Sequence, residues 1–372
     1  MNFSVFEHQM MAKAIKLAEK GRFTTHPNPN VGCVITQGET IVGQGYHIRA
    51  GGPHAEVHAL AMAGDKAKGA TAYVTLEPCS HYGRTPPCAK GLIDAGVARV
   101  ICAMQDPNPE VSGNGIAMLK AAGIEVQVGL LEAEAERINR PFLKKMRSGM
   151  PWVQLKMAAS LDGKTALQNG NSQWITSSLA RADVQLYRAQ AGAILSTSKT
   201  VIDDNASLNV RWEDLTAEVR SIYPDTERSD ADNSGQKLRQ PLRVILDRQQ
   251  QLTQDLRLFN SAGEVLVISG PEQTKADSTI DLPQLLANLA SQHNINHIWV
   301  EAGATLAASF IEQGLVDELI VYLAPKIMGT DGRGLVNLLG LTKMDQAIEL
   351  NIEQLTQVGP DIKLVATFKS SR

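Results

Sequence analysis

The chain has 372 residues, of which 43% are hydrophobic and 20% charged, and its net charge is −3. This length exceeds the roughly 100–200 residues of a single domain, so it predicts two domains, and the composition is that of a globular protein with enough apolar residues for two cores. The slightly acidic balance without a basic block argues against nucleic acid as the main partner, and no apolar run approaches the roughly 20 residues that span a membrane.

The cysteines and histidines are concentrated near the N-terminus. All four cysteines lie within the first 102 residues, and six of the eight histidines lie within the first 81. The N-terminal segment lacks the basic-then-apolar plan of a signal peptide, and the few cysteines indicate a reducing compartment, so we expect a cytoplasmic protein. In that setting paired cysteines indicate a metal site more often than a disulfide, which places the expected metal chemistry in the N-terminal third.

The first 147 residues alternate helix-like and strand-like segments, beginning with an amphipathic helix. Short buried strands are predicted at VGCVIT (31–36), TAYVTL (71–76), ARVICAM (98–104) and IEVQVG (124–129). Helical patterns lie between them, as in HAEVHALAMAG (54–64) and CAKGLIDAG (88–96). This alternation favours an α/β layer fold with a largely parallel sheet.

A charged helix over 130–149 precedes a predicted boundary near 147–150, which separates a domain over 1–148 from a domain over 149–372. The second domain repeats the α/β pattern. Its predicted strands are WVQLKM (152–157), AGAILS (191–196), LRVILD (242–247), EVLVIS (264–269), HIWVEA (297–302) and ELIVYLAP (318–325), with DIKLVATF (361–368) as a closing edge strand. The polar segment 212–241 is predicted to be a surface excursion. The glycine fingerprints of phosphate loops and dinucleotide sites are absent.

Two short motifs predict a zinc site. His54 and Glu56 lie in GGPHAEVHAL (51–60), and Cys79 and Cys88 each follow a proline in TLEPCSHYGRTPPC (75–88). One histidine and two cysteines supply three zinc ligands and leave a fourth position for water, which indicates a catalytic site. Glu56 is placed to carry protons, as in the zinc deaminases that combine H-x-E with P-C-x-x-C.

The same residues are compatible with a site that has no catalytic role. Cysteine is often a small buried packing residue, although the two motifs in this order are a strong signal. A closed structural zinc site would need a fourth ligand, for which His58, His81, Cys33 and Cys102 are candidates; His58, one helical turn after His54, is favoured as a packed neighbour. The rival functions are a nucleic-acid-editing deaminase with an unrelated second domain, and a zinc-stabilised scaffold whose second domain is inactive.

These motifs, with HPNPNVGCVI, GYHIRAGGPHAE and the DPNP at 106–109, resemble the deaminase half of the bifunctional deaminase/reductases of riboflavin biosynthesis. The long interval between the two cysteines is itself a mark of that family. The resemblance implies a cytidine-deaminase-like α/β/α layer fold, zinc on His54, Cys79 and Cys88, and Glu56 as the catalytic proton carrier. The implied reaction is hydrolytic deamination of 2,5-diamino-6-ribosylamino-4(3H)-pyrimidinone 5′-phosphate. The implied substrate-binding residues are Asn28, His47, Arg84 and Asn108.

Three stretches of the second domain place small or polar residues where predicted strands end, at 156–176, 193–211 and 297–314. In the third, a strand meets Gly303 and then a helix beginning near Thr305, where free main-chain N–H groups would favour a phosphate. Open α/β sheets bind ligands at the carboxyl ends of their strands. Each stretch taken alone is more often a plain turn.

Together the three stretches resemble the reductase half of the same family, from about Trp152 to the C-terminus apart from the polar segment. The resemblance implies a dihydrofolate-reductase-like α/β fold and NADPH-dependent reduction of the ribosylamino group of the deaminated uracil to a ribitylamino group. The implied cofactor-binding residues are Ala158, Trp174, Thr200, Asp204, Gly303, Ala304, Thr305, Leu306, Ala307, Ala308 and Ser309. The implied substrate-binding residues are Ser172, Arg188, Leu208, Arg211 and Glu301, with the arginines facing the phosphate.

Some features of the second site depart from the family or have no assigned role. Many family members have Glu-Gly-Gly where this chain has Glu301-Ala302-Gly303, which adds a methyl group where the pyrophosphate would approach. Lys199 and Arg248 are candidates for a 2′-phosphate of NADPH, and Lys156 and Asp162 lie near the same loop. The expected partners are phosphorylated pyrimidine substrates and a second copy of the chain, paired through the reductase domain, with no nucleic acid and no membrane.

Overall fold

The computed structural model describes residues 3–81, 86–108, 112–223, 238–270 and 279–369. The chain divides into two compact units, Met1–Gly149 and Met150–Arg372. Arg84 and residues 224–237 of the polar segment lie outside the described residues. In the described ranges, no helix has both the length and the apolar character needed to cross a membrane.

The first unit is built on a five-stranded sheet with the order β2-β1-β3-β4-β5. Its strands are β1 (Gly32–Gln37), β2 (Thr40–Tyr46), β3 (Thr71–Val74), β4 (Arg99–Cys102) and β5 (Glu125–Val128). Its α-helices are α1 (Val5–Ala18), α2 (Ala55–Ala63), α3 (Cys88–Asp94), α4 (Asn114–Ala121) and α5 (Glu132–Ser148).

The sheet of the first unit is mixed, so the prediction of a largely parallel sheet is wrong here. β3, β4 and β5 run parallel, whereas β1 is antiparallel to both β2 and β3. The reason is a hairpin between β1 and β2 that the sequence analysis missed. Its turn is Gly38-Glu39, with Gly38 at a φ of +56°, a conformation that glycine adopts easily.

Helices cover both faces of this sheet, which confirms the predicted α/β/α layers. Successive side chains of a strand point to opposite faces. Cys33 and Ile35 of β1 accordingly pack in one core with α2, α3 and α4, whereas Val34 packs in a second core with α1 and α5. Helix α2 lies directly against β2, since a Cβ atom at Gly43 would come within 2.2 Å of the carbonyl oxygen of Ala59.

The second unit contains an eight-stranded sheet with the order β10-β9-β8-β11-β6-β12-β15-β14 and a two-stranded sheet β13-β7. The strands are β6 (Trp152–Ser160), β7 (Lys164–Ala166), β8 (Ala193–Thr197), β9 (Leu242–Leu246), β10 (Val265–Ile268), β11 (His297–Glu301), β12 (Glu318–Ala324), β13 (Arg333–Gly334), β14 (Leu350–Val358) and β15 (Asp361–Phe368). The α-helices are α6 (Ser178–Gln190), α7 (Ser198–Asp204), α8 (Ala217–Ile222), α9 (Leu282–Gln292) and α10 (Ala304–Glu312).

The six strands from β10 to β12 in the sheet order run parallel, and β15 is antiparallel to β12. This sheet confirms the α/β fold class predicted for the second domain. The prediction that 361–368 forms the edge strand is wrong, because β14 pairs with the far side of β15. β14 was not predicted from the sequence, because a bulge between Ile352 and Gln354 interrupts the alternation of its apolar residues.

Part of the polar segment is packed rather than a surface excursion. Leu215, Val219 and Tyr223 are buried, with exposures of 2%, 5% and 1%. The Trp212 and Tyr223 rings meet edge to face with their centroids 5.6 Å apart. The three buried residues are spaced four apart, as on one face of a helix. The helical pattern was not predicted because charged residues dominate the composition between them.

Candidate active sites

The three predicted zinc ligands converge at the ends of elements in the first unit. His54 is the N-cap of α2, Cys79 follows β3, and Cys88 is the first residue of α3. Their ligand atoms lie within 4.8 Å of one another. His54 Nδ1 is 3.2 Å from Cys88 Sγ and 3.6 Å from Cys79 Sγ. One imidazole and two thiols at this spacing fit a zinc ion, since ligand bonds of about 2.0–2.3 Å would reach all three.

The surroundings of Cys79 favour the thiolate form, which is the form that binds metal. The Cys88 thiol hydrogen-bonds to Cys79 and, with His54, lowers the pKa of Cys79 to about 4. The main-chain N–H of Cys88 also donates to Cys79 Sγ at 3.2 Å. All four cysteines are free thiols, so neither ligand is committed to a disulfide.

The described residues offer no fourth protein ligand within this group. Cys33 and Cys102 are fully buried in the core between the sheet and helices α2 to α4. His81 is exposed, and His58 lies on α2 outside the ligand group. Among the described residues, the candidates for closing a structural site are therefore not gathered around the three predicted ligands, and this is the pattern predicted for a catalytic zinc site.

Glu56 is buried in the first turn of α2. Burial raises the pKa of its carboxyl group to about 7, an effect that the positive charge of His54 opposes. Its Oε2 atom has no hydrogen-bond partner in the described part of the chain. A carboxyl group outside the ligand set, with a pKa near neutrality, can accept and release a proton at physiological pH.

Two of the predicted substrate residues lie beside the predicted zinc ligands. His47 contacts His54 edge to face, with ring centroids 5.4 Å apart. Its Nδ1 atom is 3.0 Å from the carbonyl oxygen of Pro53, and its Nε2 atom is 3.1 Å from Asn28 Nδ2. If Nδ1 donates to Pro53, Nε2 accepts from the Asn28 amide, which orients that amide next to the metal site.

The other two predicted substrate residues of this unit are less directly placed. Asn108 follows β4, and its main-chain N–H donates to Asp106 Oδ1 at 2.9 Å. Burial raises the pKa of the Asp106 carboxyl, and the main-chain N–H of Asp106 donates to Glu77, two residues before Cys79, at 3.2 Å. The segment of Asn108 therefore runs beside the loop that carries Cys79. Arg84 is outside the described residues, and its assignment stays a prediction.

The second unit has a cleft of about 1510 Å³ at the carboxyl ends of β8, β9 and β11, where an open α/β sheet binds ligands. The predicted residues that line it are Ala158, Ser172, Trp174, Arg188, Thr200, Asp204, Leu208, Arg211, Glu301, Gly303, Ala304, Thr305, Leu306 and Ser309. Ala307 and Ala308 are buried in the body of α10 and do not line the cleft. Lys156, Lys199 and Arg248 line it as well.

Helix α10 begins at the cleft with Gly303 as its N-cap. The space around Gly303 is open, because a Cβ atom there would meet nothing within 4 Å. The first main-chain N–H groups of a helix lack partners within the helix and favour an anion. This end of the cleft can therefore hold a phosphate group of a nucleotide, and the side chain of Ala302 lines the approach.

Both predicted phosphate-facing arginines are paired with carboxylates. Arg188 donates to the two oxygens of Glu301 at 2.6 and 3.0 Å, and Arg211 Nε donates to Asp214 at 2.5 Å. Trp299 Nε1 also donates to Glu301, at 2.9 Å. Burial opposes ionisation of Glu301, but Arg188 outweighs it and holds the pKa of that carboxyl at about 2. Glu301 is therefore ionised at neutral pH, and its carboxylate is held in position where it lines the cleft.

The loop that carries Leu208 and Arg211 is held by side chains from elsewhere in the unit. Gln240 both accepts from the Val210 N–H at 2.8 Å and donates to its carbonyl at 3.0 Å. The buried Arg243 donates to the carbonyl of Ser207 at 2.9 Å. These supports were not predicted from the sequence, because neither residue lies in a motif and both are about 30 residues or more from the loop in sequence.

A second group of missed residues surrounds Trp174, which is 62% exposed. The Arg181 guanidinium lies over its indole ring, 4.4 Å from the centroid, and Lys326 Nζ donates to its carbonyl at 2.6 Å. Gln173 donates to Asp204 at 2.9 Å. These contacts fix an exposed aromatic ring at the rim of the cleft, where it can stack on a flat ligand.

Comparison with known proteins covers both units. A family model described as "Cytidine and deoxycytidylate deaminase zinc-binding region" matches residues 5–104, and one described as "RibD C-terminal domain" matches residues 151–364. The chain is 53% identical over 367 residues to "Riboflavin biosynthesis protein RibD" of Escherichia coli, which covers 95% of this chain and 97% of the relative.

Two solved structures are similar over nearly the full length. RibD of Acinetobacter baumannii matches with a TM-score of 0.87 and 43% identity, covering 98% of this chain and 99% of that chain. A diaminohydroxyphosphoribosylaminopyrimidine deaminase/5-amino-6-(5-phosphoribosylamino)uracil reductase of Thermotoga maritima matches with a TM-score of 0.81 and 31% identity, covering 98% of this chain and 99% of that chain.

Proposed function

Because this chain belongs to the RibD family of riboflavin biosynthesis proteins, we propose that it catalyses two consecutive steps of that pathway, one in each unit. The first step is hydrolytic deamination of 2,5-diamino-6-ribosylamino-4(3H)-pyrimidinone 5′-phosphate, in which water replaces the ring amino group and ammonia leaves. The second is reduction of the ribosylamino group of the product to a ribitylamino group. The observation that carries the proposal is the group His54, Cys79 and Cys88 beside the buried Glu56, in a chain whose other unit has a strand-end cleft.

In the first unit, His54, Cys79 and Cys88 would hold the zinc ion. Bound zinc lowers the pKa of a coordinated water to about 7 and so supplies a nucleophile at neutral pH. Glu56 takes up a proton on its buried carboxylate and delivers it to the departing amino group. Asn28, held by His47, offers an amide that can hydrogen-bond to the edge of the pyrimidinone, and Asn108 is proposed to do the same.

In the second unit, the proposed reductant is NADPH, which supplies the hydride. The N-terminus of α10 would bind its pyrophosphate, and the exposed ring of Trp174 would stack on one of its flat groups. Lys199 and Arg248 at the rim are the proposed contacts for the 2′-phosphate. Hydride must reach C1′ of the open-chain sugar, so the side chains around Glu301 have to align the two ligands and exclude water.

We also propose that the chain forms a dimer through the second unit. Several large apolar side chains there are exposed, among them Leu339 (78%), Met344 (89%), Ile352 (66%) and Leu355 (65%). Ile352 and Leu355 lie on β14, whose outer edge is unpaired in the described sheet. Exposed apolar side chains and open strand edges both favour association with a second copy. The free thiols support the proposed cytoplasmic location.

The function is tested by incubating the zinc-loaded protein with the diaminopyrimidinone ribosylamino phosphate and following ammonia release and NADPH absorbance together. Wild-type protein is expected to release ammonia first and then consume NADPH. Glu56→Gln is expected to lose both signals, and adding the deaminated intermediate should restore NADPH consumption. The matched control is Glu134→Gln, an exposed glutamate on α5 that should leave both signals unchanged.

The alternative outcomes separate the two halves of the proposal. Ammonia release without NADPH consumption would contradict the reductase activity alone. No ammonia from folded, zinc-loaded protein would contradict the deaminase activity. Release of ammonia from a tRNA or DNA oligomer would favour the nucleic-acid-editing alternative instead.

A further inference from the structure

The carboxylate of Glu77 is buried two residues before the zinc ligand Cys79, with 3% of the residue exposed. It accepts four hydrogen bonds, all from main-chain N–H groups. Oε1 accepts from Gly115 at 2.9 Å and from Ile116 at 3.1 Å, and Oε2 accepts from Gly113 at 2.9 Å and from Asp106 at 3.2 Å. A buried carboxylate that accepts from four main-chain N–H groups links the separate segments of the chain that supply those groups.

The donors belong to the chain that follows β4. One is the N–H of Asp106, and the other three belong to the start of α4. That start also touches the backbone next to Cys79: a Cβ atom at Gly115 would lie 1.9 Å from the carbonyl oxygen of Pro78. The main chain of Glu77 is fixed to the same region, since its own N–H donates to the Met104 carbonyl at 3.0 Å. The segment of the zinc ligand and the segment after β4 are therefore locked together at Glu77.

A short chain of hydrogen bonds leads from Glu77 to Asn108. Glu77 holds the main chain of Asp106, and Asp106 Oδ1 in turn accepts from the N–H of Asn108 at 2.9 Å. The Asn108 carbonyl accepts from Ser112 N–H at 2.8 Å, immediately before Gly113, which returns to Glu77. The Glu77 side chain thus holds the chain on both sides of Asn108, and it thereby fixes the position of Asn108 relative to Cys79.

We propose that Glu77 is a positioning residue of the deaminase: it sets the distance between the zinc-ligand segment and the substrate-contacting segment around Asn108. This inference rests on the proposed function of the first unit. It assigns Glu77 no contact with substrate or metal. Glu77 therefore controls the substrate affinity of the deaminase, but it affects neither zinc binding nor the activity of the second unit.

The isosteric change Glu77→Gln isolates this role. A glutamine amide has one acceptor oxygen, and its NH2 group would face two main-chain N–H donors in place of an acceptor. Two hydrogen bonds are lost, and buried donors are left without partners. The full-length variant is expected to keep its zinc and its reduction of the deaminated intermediate, while its KM for the diaminopyrimidinone rises about tenfold or more and kcat changes by less than about threefold.

Hydrogen exchange provides a readout that does not depend on activity. Amides within 105–108 and 112–116 should exchange faster in Glu77→Gln than in wild type, whereas those of β5 should not change. Asp106→Ala, which leaves Glu77 and α4 in place, should also raise KM, so the inference stays testable if Glu77→Gln does not fold.

The outcomes distinguish this inference from the proposed function. Unchanged KM in zinc-loaded Glu77→Gln or in Asp106→Ala would overturn the positioning role, and so would loss of zinc from folded Glu77→Gln. If wild-type protein releases no ammonia, the proposed function fails, and hydrogen exchange still decides whether Glu77 holds the two segments together.

Discussion

The buried ion pair of Arg188 and Glu301 allows a quantitative test of how the reductase cleft is built. Their side chains are 11% and 12% exposed, and Trp299 donates a further hydrogen bond to the same carboxylate. Glu301→Gln keeps the shape of the side chain but removes its charge, which leaves the Arg188 guanidinium buried without a counter-ion. Breaking a buried pair in this way costs about 3–5 kcal/mol. The pKa of Glu301 falls from 4.5 to about 2 on folding, which corresponds to about 3 kcal/mol and places the expected loss at the lower end.

Urea unfolding followed by tryptophan fluorescence measures this loss. All four tryptophans (Trp152, Trp174, Trp212 and Trp299) lie in the second unit, so the signal reports on that unit alone. The matched control is Asp203→Asn, which removes the exposed pair between Lys199 and Asp203, whose side chains are 70% and 54% exposed. An exposed pair contributes about 0–1 kcal/mol, so the control should unfold almost as wild type does.

The pH dependence of the same difference checks its electrostatic origin. A carboxyl group with a lowered pKa in the folded state stabilises the protein above its unfolded pKa, and this contribution is lost as the pH falls through the folded pKa. The advantage of wild type over Glu301→Gln should therefore be full above about pH 5 and shrink as the pH is lowered towards about 2. A difference below about 1 kcal/mol at pH 7, or one that stays constant down to pH 3, would refute the reasoning.

Three other predictions concern the metal, the cofactor and the assembly. Removing zinc with a chelator should abolish ammonia release and leave reduction of the deaminated intermediate unchanged, because all three ligands lie in the first unit; parallel loss of both activities would contradict this. Trp174→Ala should raise the KM for NADPH about tenfold and Trp174→Phe much less, since a stacked ring contributes about 1–2 kcal/mol; equal KM values in steady-state kinetics would remove Trp174 from the cofactor site. The double change Ile352→Glu and Leu355→Glu should halve the mass measured by light scattering, whereas Gln354→Glu, an exposed control on the same strand, should not; a dimer that survives the double change would exclude β14 from its interface.

Much of the candidate zinc site could be predicted from the sequence because its residues lie in two short motifs. His54 and Glu56 are two residues apart in one motif, and Cys79 and Cys88 share another. Few residue types bind zinc, so their order is informative even without a structure. Glu77 lies in the second motif too, but its role could not be predicted, since its four partners are main-chain groups that carry no side-chain signal.

Elements of the fold were predictable where burial produces a continuous apolar run or a regular alternation, and they were missed where it produces neither. The strands of the parallel sheet are apolar on both faces and were recognised, since helices or loops cover both sides. β14 has mostly exposed side chains and a bulge, so neither signal was available. Leu215, Val219 and Tyr223 were missed for the opposite reason, because three buried residues at helical spacing were outnumbered by charged neighbours.

The loop after α7 shows how the reductase unit keeps an unfavourable backbone at its cleft. Leu208 has a φ of +50° and is buried, with 2% exposure. A left-handed conformation at a residue with a side chain costs about 1–2 kcal/mol, which glycine would avoid. Glycine would, however, forfeit the about 1.5–3 kcal/mol gained by burying a leucine side chain in the core that Leu208 shares with Val201 and Tyr322. Gln240 and Arg243, which bind the main chain on either side of Leu208, hold the strained conformation in place. Strained backbone that is held by surrounding contacts clusters at ligand sites, which supports the proposed place of Leu208 in the substrate site.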